Sequence, residues 1–206
     1  MGSIITVSLN PAIDRVIEVE NFRVGAHQVG RTISRMPCGK AVNVSHVLAE
    51  LEVESVATGF LGKENRGLFD TILVGGRVRD EFFTLPGRTR ENITIVEPAT
   101  REETHIRDVG LEVKPPDLAR LTKKLQLLAR ENSVVIFSGS LPPGISPEAF
   151  AELVGHCLDT GARVTVDTSG EALRAVARKN LWLLKPNSHE LAELVGRELP
   201  SLPERE

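Results

Sequence analysis

Met36-Pro37-Cys38-Gly39-Lys40-Ala41-Val42-Asn43-Val44-Ser45-His46-Val47-Leu48-Ala49-Glu50-Leu51 reads as a turn built on Pro37 and Gly39 that runs straight into a helix. Val44, Val47, Leu48 and Leu51 share one helical face, which predicts that face as the apolar, inward one. The first backbone N–H groups of a helix have no acceptor inside it, and the macrodipole adds partial positive charge. A phosphate or a sugar hydroxyl is therefore favoured at such a start, and Lys40 adds a full charge. Taken alone, the stretch fits an ordinary strand-to-helix connection equally well.

The 206 residues, 41% of them hydrophobic, suffice for one substantial core, so residues 1–206 are read as a single α/β domain with a minor appendage. The net charge of −3 comes from interspersed acids and bases, which gives no general attraction to nucleic acid or to an anionic membrane. Cys38 and Cys157 lie far apart without metal-ligand spacing, and no apolar run approaches spanning length. A soluble, cytoplasmic protein with neither nucleic-acid nor membrane partners is expected.

Working outward, Ile4–Leu9 is a β-branched run that reads as a buried strand ending at Asn10-Pro11, with Asp14 just beyond. In an open α/β sheet, ligands gather at that end. Asp14 either accepts from a ligand's hydroxyls or merely holds its turn. Ile13–Glu20 and Val29–Ser34 read as strands outside the main sheet. Ser55–Gly62 is another buried strand, followed by an expected helix through Gly67–Leu73. Glu81–Leu85, Asn92–Val96 and Thr104–Ile106 follow without intervening helices and suggest a small antiparallel element; together the expected lid strands span roughly 13–34 and 79–108. Arg88 and Arg90 precede its middle strand, either solvated or facing a phosphate.

From Lys114 onward helix and strand alternate: a helix through Leu118, Leu121, Leu125 and Leu128, the strand Val134–Phe137, a Gly/Pro loop Ser138–Gly144, and a helix capped by Ser146 with Pro147 at its first position. Val164–Asp167 and Leu181–Leu184 are further strands. Asn187 with Glu190 three residues on reads as a capping box. This order predicts a mostly parallel sheet with right-handed crossovers.

Asn10-Pro11-Ala12-Ile13-Asp14, Gly39-Lys40-Ala41-Val42-Asn43-Val44, Thr89-Arg90-Glu91-Asn92, Ser138–Gly144, Asp167-Thr168-Ser169-Gly170-Glu171-Ala172-Leu173 and Lys185-Pro186-Asn187-Ser188-His189-Glu190, in this order, resemble the phosphofructokinase-B family of carbohydrate kinases in the ribokinase superfamily. The branch most resembled phosphorylates fructose 1-phosphate, fructose 6-phosphate or tagatose 6-phosphate. The resemblance implies a ribokinase-like α/β sandwich with a small β lid, and transfer of a phosphoryl group from MgATP to a sugar-phosphate hydroxyl. It implies that Asp14, Gly39 and Asn43 hold sugar hydroxyls, that Lys40 and Arg90 face the existing phosphate, and that Ser140 lines the sugar pocket. Lys185 and Asn187 would serve the nucleotide, and Glu190 the Mg ion indirectly. A homodimer through lid strands is a further implication.

Three departures accompany it. Cys38 and Ala41 stand where the family usually has glycine; were position 38 to need a positive φ, a Cβ there would cost about 1 kcal/mol. His27 stands where one branch has a phosphate-binding lysine. The Gly-Ala-Gly-Asp motif that carries the family's general base has no counterpart, since no Gly-x-Gly-Asp occurs in the 206 residues. The chain is accordingly read as corresponding to the amino-terminal two-thirds of such a kinase, ending in a linker at Pro203–Glu206, and expected to bind sugar phosphate weakly and transfer phosphate negligibly. The alternatives are a non-catalytic sugar-phosphate-binding or regulatory relict, and a partial product with an unpaired sheet edge.

Overall fold

The computed structural model describes residues 2–73 and 76–199; the expected linker at Pro203–Glu206 lies outside them. The chain opens with β1 (Ile4–Ser8), whose residues Ile5 to Ser8 are all buried. Two strands, β2 (Ala12–Glu18) and β3 (Arg31–Cys38), then lead into helix α1 (Lys40–Glu50). After β4 (Ser55–Gly62) come a 3-10 turn over Lys63–Phe69, the short α2 (Asp70–Leu73), β5 (Val78–Asp80) and β6 (Phe83–Leu85). Next come β7 (Arg90–Val96), β8 (Glu103–Ile106), α3 (Pro115–Leu128), β9 (Val134–Ser138), α4 (Pro147–Asp159), β10 (Arg163–Asp167), α5 (Gly170–Val176), β11 (Leu183–Leu184) and α6 (Ser188–Val195).

Among the described residues the main sheet runs β11-β10-β9-β1-β4-β5, with β6 also pairing β4, and every pairing in it is parallel. The expected α/β architecture with a parallel centre is therefore the one formed. Strands buried on both faces read as unbroken apolar runs, and β4 is buried at every position. On one side Val7, Val135, Phe137 and Val164 pack with Leu121, Leu125, Phe150, Leu153 and Val176 from α3, α4 and α5. Phe137 meets Phe150 edge to face at 5.6 Å, worth about 0.5–1.5 kcal/mol beyond area burial. The other side carries a smaller cluster in which Val42 of α1 meets Ala57, Leu61, Phe69 and Ile13.

The second sheet has the order β3-β2-β7-β8. It differs from the expected antiparallel element in two respects. Its central pair, β2 with β7, is parallel, because the chain passes through the whole β4–β6 crossover between them. Phe83–Leu85, expected among the lid strands, pairs with β4 and belongs to the main sheet, as does Val78–Asp80.

Two readings of the opening stretch are corrected. Pro37 is not in the turn; it lies within β3 opposite Ile13, one residue before the strand's end, and β3 is an edge strand, where a missing N–H costs no ladder bond. The buried face of α1 is Ala41, Val42 and Ser45, whereas Val47 is 54% and Leu51 67% exposed. The reason is close approach: small side chains in the first turn let the helix settle on the sheet, where Ser45 Oγ and Thr6 Oγ lie 2.6 Å apart. The register then places Thr6, Ile136, Thr165 and Leu183 in one row on the α1 side.

Candidate active site

The turn before α1 is Gly39 alone. Its φ of 126° and ψ of 136° lie where L side chains are rarely found, and a Cβ added there would stand 3.1 Å from Pro11 Cα. Gly39 thus lets the β3–α1 connection press against the Asn10-Pro11 loop at the end of β1. Cys38 is not among the residues with positive φ; it ends β3 in extended pairing with Ala12. The backbone cost anticipated for a side chain at 38 is therefore absent, and Ala41 is fully buried within the helix.

The thiol of Cys38 joins two of the expected sugar-binding residues. Asn43 Nδ2 donates to Cys38 Sγ at 3.6 Å, and the Asp14 carboxylate lies close enough to bear on the thiol's titration. Burial, then the Asp14 carboxylate, push the Cys38 thiol above its ordinary pKa, so it is held as S–H. Asp14 comes from β2, where the register sets it opposite Asn92 of β7, and Asn92 Nδ2 donates to its Oδ1 at 2.9 Å. The remaining amide oxygen of Asn92 is buried without a partner. Asp14, Cys38, Asn43 and Asn92 thus form one polar cluster where the lid meets the start of α1.

Arg90 opens β7 and is steered by a buried clamp one residue earlier. Asn65 Nδ2 donates to the Thr89 carbonyl at 2.8 Å, Thr89 N donates to Asn65 Oδ1 at 2.9 Å, and Gly62 N donates to Thr89 Oγ1 at 2.8 Å. The Arg90 guanidinium then reaches back across the β1 loop. Nε donates to the Pro11 carbonyl at 3.3 Å, Nη2 to the Asn10 carbonyl at 3.1 Å and to Ser140 Oγ at 3.4 Å, and Nη1 to the Asp108 carbonyl at 3.0 Å. Burial lowers its pKa first; Asp108, Asp14 and Cys38 act in the opposite direction. Most of the fork is thus satisfied by main chain, so an incoming phosphate would exchange with carbonyls rather than meet an idle cation.

Asn10, missed by sequence reasoning as a site residue, pins the same region: its Nδ2 contacts the carbonyls of Val109 and Leu141 and Ser140 Oγ. Its position directly after a buried strand was the available signal. Arg90, Asn10, Val109 and Ser140 line a cleft of about 480 Å³ that continues past Pro142, Pro143 and Ile145 to Thr168, Ser169 and Glu171. Asp14, Gly39, Lys40 and Asn43 do not line it. Asp14 acts on the Arg90 guanidinium from the lid side, and Gly39 packs against Pro11, whose carbonyl Arg90 holds.

Lys40 lies elsewhere. Its Nζ donates to Asp167 Oδ1 at 3.0 Å, and Lys185 Nζ lies 3.8 Å from Asp167 Oδ2. A residue expected on the sugar side and one expected on the nucleotide side thus share a single carboxylate. Asn187 and Glu190 form the capping box of α6: Asn187 Oδ1 accepts from Glu190 N at 2.9 Å and Glu190 Oε2 from Asn187 N at 2.8 Å. Among the described residues no three His, Cys, Asp or Glu side chains converge as a metal cage. His27, exposed on the β2–β3 connection, is not among the cleft-lining residues.

Comparison with known proteins agrees with this fold. The profile described as pfkB family carbohydrate kinase matches residues 3–205. The chain is 36% identical over 199 residues to a 1-phosphofructokinase of Vibrio cholerae, covering 97% of this chain and 62% of the relative. It is 40% identical over 202 residues to a 1-phosphofructokinase of Rhodobacter capsulatus, covering 97% and 63%. The structure of phosphofructokinase-2 from Escherichia coli in complex with fructose-6-phosphate superposes with a TM-score of 0.90 at 27% identity, covering 100% of this chain and 68% of that one. A possible 1-phosphofructokinase from Thermotoga maritima gives a TM-score of 0.75 at 27% identity, covering 96% and 70%. The chain spans 62–65% of the length of the curated relatives it matches. With the family's profile running through lid, cleft and capped α6 alike, the chain belongs to the pfkB family of carbohydrate kinases.

Proposed function

We propose that this chain carries the sugar-phosphate site and part of the nucleotide site of an ATP-dependent kinase that converts a hexose phosphate, fructose 1-phosphate or a close analogue, to a bisphosphate. The observation that carries the reading is the meeting, at the carboxyl end of β1, of a polar cluster suited to hydroxyls with an arginine and a serine suited to a phosphate. Asp14 and Asn43 would hold sugar hydroxyls, Gly39 would keep the helix start close to them, Ser140 would line the sugar pocket beside Arg90, and Arg90 would take the existing phosphate, joined by Lys40 once it turns from Asp167. Positioning and charge neutralisation carry most of a phosphoryl transfer, so pre-set charges are what such a site needs.

Lys185 would meet the nucleotide, while Asn187 first secures the helix that carries Glu190. Magnesium fits this donor set only loosely: Glu190 is 9% exposed and has one oxygen committed to the cap, leaving the other for a metal-bound water. Bound with ATP, the ion would supply charge neutralisation on the phosphates. Exposed Ile33, Met36 and Ile106 on the second sheet favour a homodimer through the lid. No described helix is long and apolar enough to cross a membrane, and a cytoplasmic setting suits a kinase of sugar phosphates.

Because no Gly-x-Gly-Asp occurs in these 206 residues, the chain by itself binds without transferring, which also keeps a non-catalytic sugar-phosphate-binding role as the second reading. Titration calorimetry with fructose 1-phosphate and with fructose, alongside an ATP-consumption assay, tests both. Saturable binding of the phosphorylated sugar, much tighter than fructose, supports the site. Robust turnover by the 206-residue chain refutes the missing-base part; tight binding indifferent to nucleotide favours the regulator. Equal, non-saturable heats for both sugars refute the site itself.

A further inference from the structure

Asp167 closes β10 between two lysines from different elements, with only 14% of its side chain exposed. Ser138 Oγ, at the end of the neighbouring β9, donates to its Oδ2 at 3.0 Å, and Gly139 N donates to its main-chain carbonyl at 2.9 Å. The carboxylate is therefore fixed from behind. Lys40 Nζ at 3.0 Å from Oδ1 and Lys185 Nζ at 3.8 Å from Oδ2 reach it on long stems, their side chains 52% and 67% exposed. On the kinase reading, on which this inference rests, Lys40 serves the sugar phosphate and Lys185 the nucleotide. Both ligands are anions, so each competes for its lysine with the same carboxylate.

We infer that Asp167 is a shared counter-ion that couples the two anion sites: it neutralises Lys40 and Lys185 together, and an anion that draws off one lysine leaves the carboxylate wholly to the other. An ammonium is a compact point charge on a flexible stem, so either lysine can turn to an arriving phosphate without moving the backbone. Once Lys40 turns, Asp167 keeps one cation instead of two and holds Lys185 harder. By linkage the effect is reciprocal: each anion raises the other's dissociation constant by the same factor. Exposed ion pairs are weak, which sets that factor near the low end of known couplings, about fivefold. Asp167 acts through the lysines and is thus a positioning residue.

Calorimetry on the 206-residue chain tests this with fructose 1-phosphate and metal-free ATP, each titrated alone and then against saturating amounts of the other. In the wild-type chain each ligand weakens the other about fivefold. In Asp167→Asn each ligand binds tighter alone and the mutual effect falls to about twofold or less, the remainder being direct repulsion between the ligands; Asp167→Glu restores it. Unchanged coupling in Asp167→Asn, or weaker binding of either ligand alone, overturns the inference while leaving the kinase reading intact. A wild-type chain that binds neither ligand overturns the kinase reading and the coupling with it. A ligand-free double-mutant cycle in thermal stability, pairing Asp167→Asn with Lys40→Met and with Lys185→Met, reads the ion pairs independently. Non-additive effects are expected in both cycles, and strict additivity refutes the shared counter-ion at its root.

Discussion

Replacing Gly39 by alanine should damage this protein more than its size suggests. The backbone there, φ 126° and ψ 136°, is close to a region that only glycine populates freely, and holding another residue in it costs about 1–3 kcal/mol. The new Cβ would also stand 3.1 Å from Pro11 Cα, tight against backbone that cannot swing away, while Ser8 Oγ at 3.5 Å stays at ordinary contact distance. We expect a loss of about 2–3 kcal/mol, which for a domain of this size lowers Tm by about 4–12 °C. Thermal unfolding followed by circular dichroism gives the number. Because Gly39 joins Cys38 to Lys40, the same variant should weaken fructose 1-phosphate binding about tenfold, as a small misplacement of positioning groups does. Cys38→Gly is the control: extended backbone at 38 gives glycine nothing to relieve, and added chain entropy should cost about 0.5–1 kcal/mol. A Gly39→Ala variant that melts within about 1 °C of wild type, or a Cys38→Gly variant that gains stability, would show the turn geometry to be misread.

Asn65→Ala strands the buried N–H and carbonyl of Thr89, so urea unfolding should report a loss of about 2–4 kcal/mol, with weaker sugar-phosphate binding because Arg90 loses its anchor. Glu97 accepts from the backbone N–H groups of Thr100 and Asn21, which hold its carboxyl down at about 2 against an ordinary 4.5. A depressed carboxylate stabilises above the unfolded value, so its contribution should fade as pH falls from about 4.5 to about 2, and Glu97→Gln should flatten the Tm-versus-pH curve across that window. Cys157 is buried and pushed up to about 12, while Cys38 is half-buried and raised less. An aromatic disulfide reagent at pH 8 should therefore label one thiol slowly in the native protein and the second only in denaturant; simultaneous labelling would contradict both placements.

Much of the fold was legible because strand and helix signals agreed locally. The β-branched runs at Ile4–Ser8, Ser55–Gly62 and Val134–Ser138 became parallel central strands, and Ser146-Pro147 and Asn187–Glu190 capped their helices as their chemistry dictates. What failed was information carried by partners distant in sequence. The inward face of α1 was misassigned because periodicity ranks Val47 and Leu51 above Ser45, yet only Ser45 finds Thr6 across the layer. Phe83–Leu85 was assigned to the wrong sheet because a three-residue strand looks the same in either. The site residues were legible as types, since charges and amides after strand ends are candidates on chemical grounds. Their pairing was not: nothing local says that Lys40 turns to Asp167, or that the Arg90 fork closes on the carbonyls of Asn10, Pro11 and Asp108.

The central claim is spatial, and a crystal structure of this chain with fructose 1-phosphate tests it most directly. The account predicts the phosphate within hydrogen-bond distance of Arg90 and Ser140, the sugar hydroxyls on Asp14 and Asn43, and the Asp108 carbonyl released from Arg90. A sugar phosphate bound away from Arg90, or a cleft left empty at saturating ligand, would contradict it.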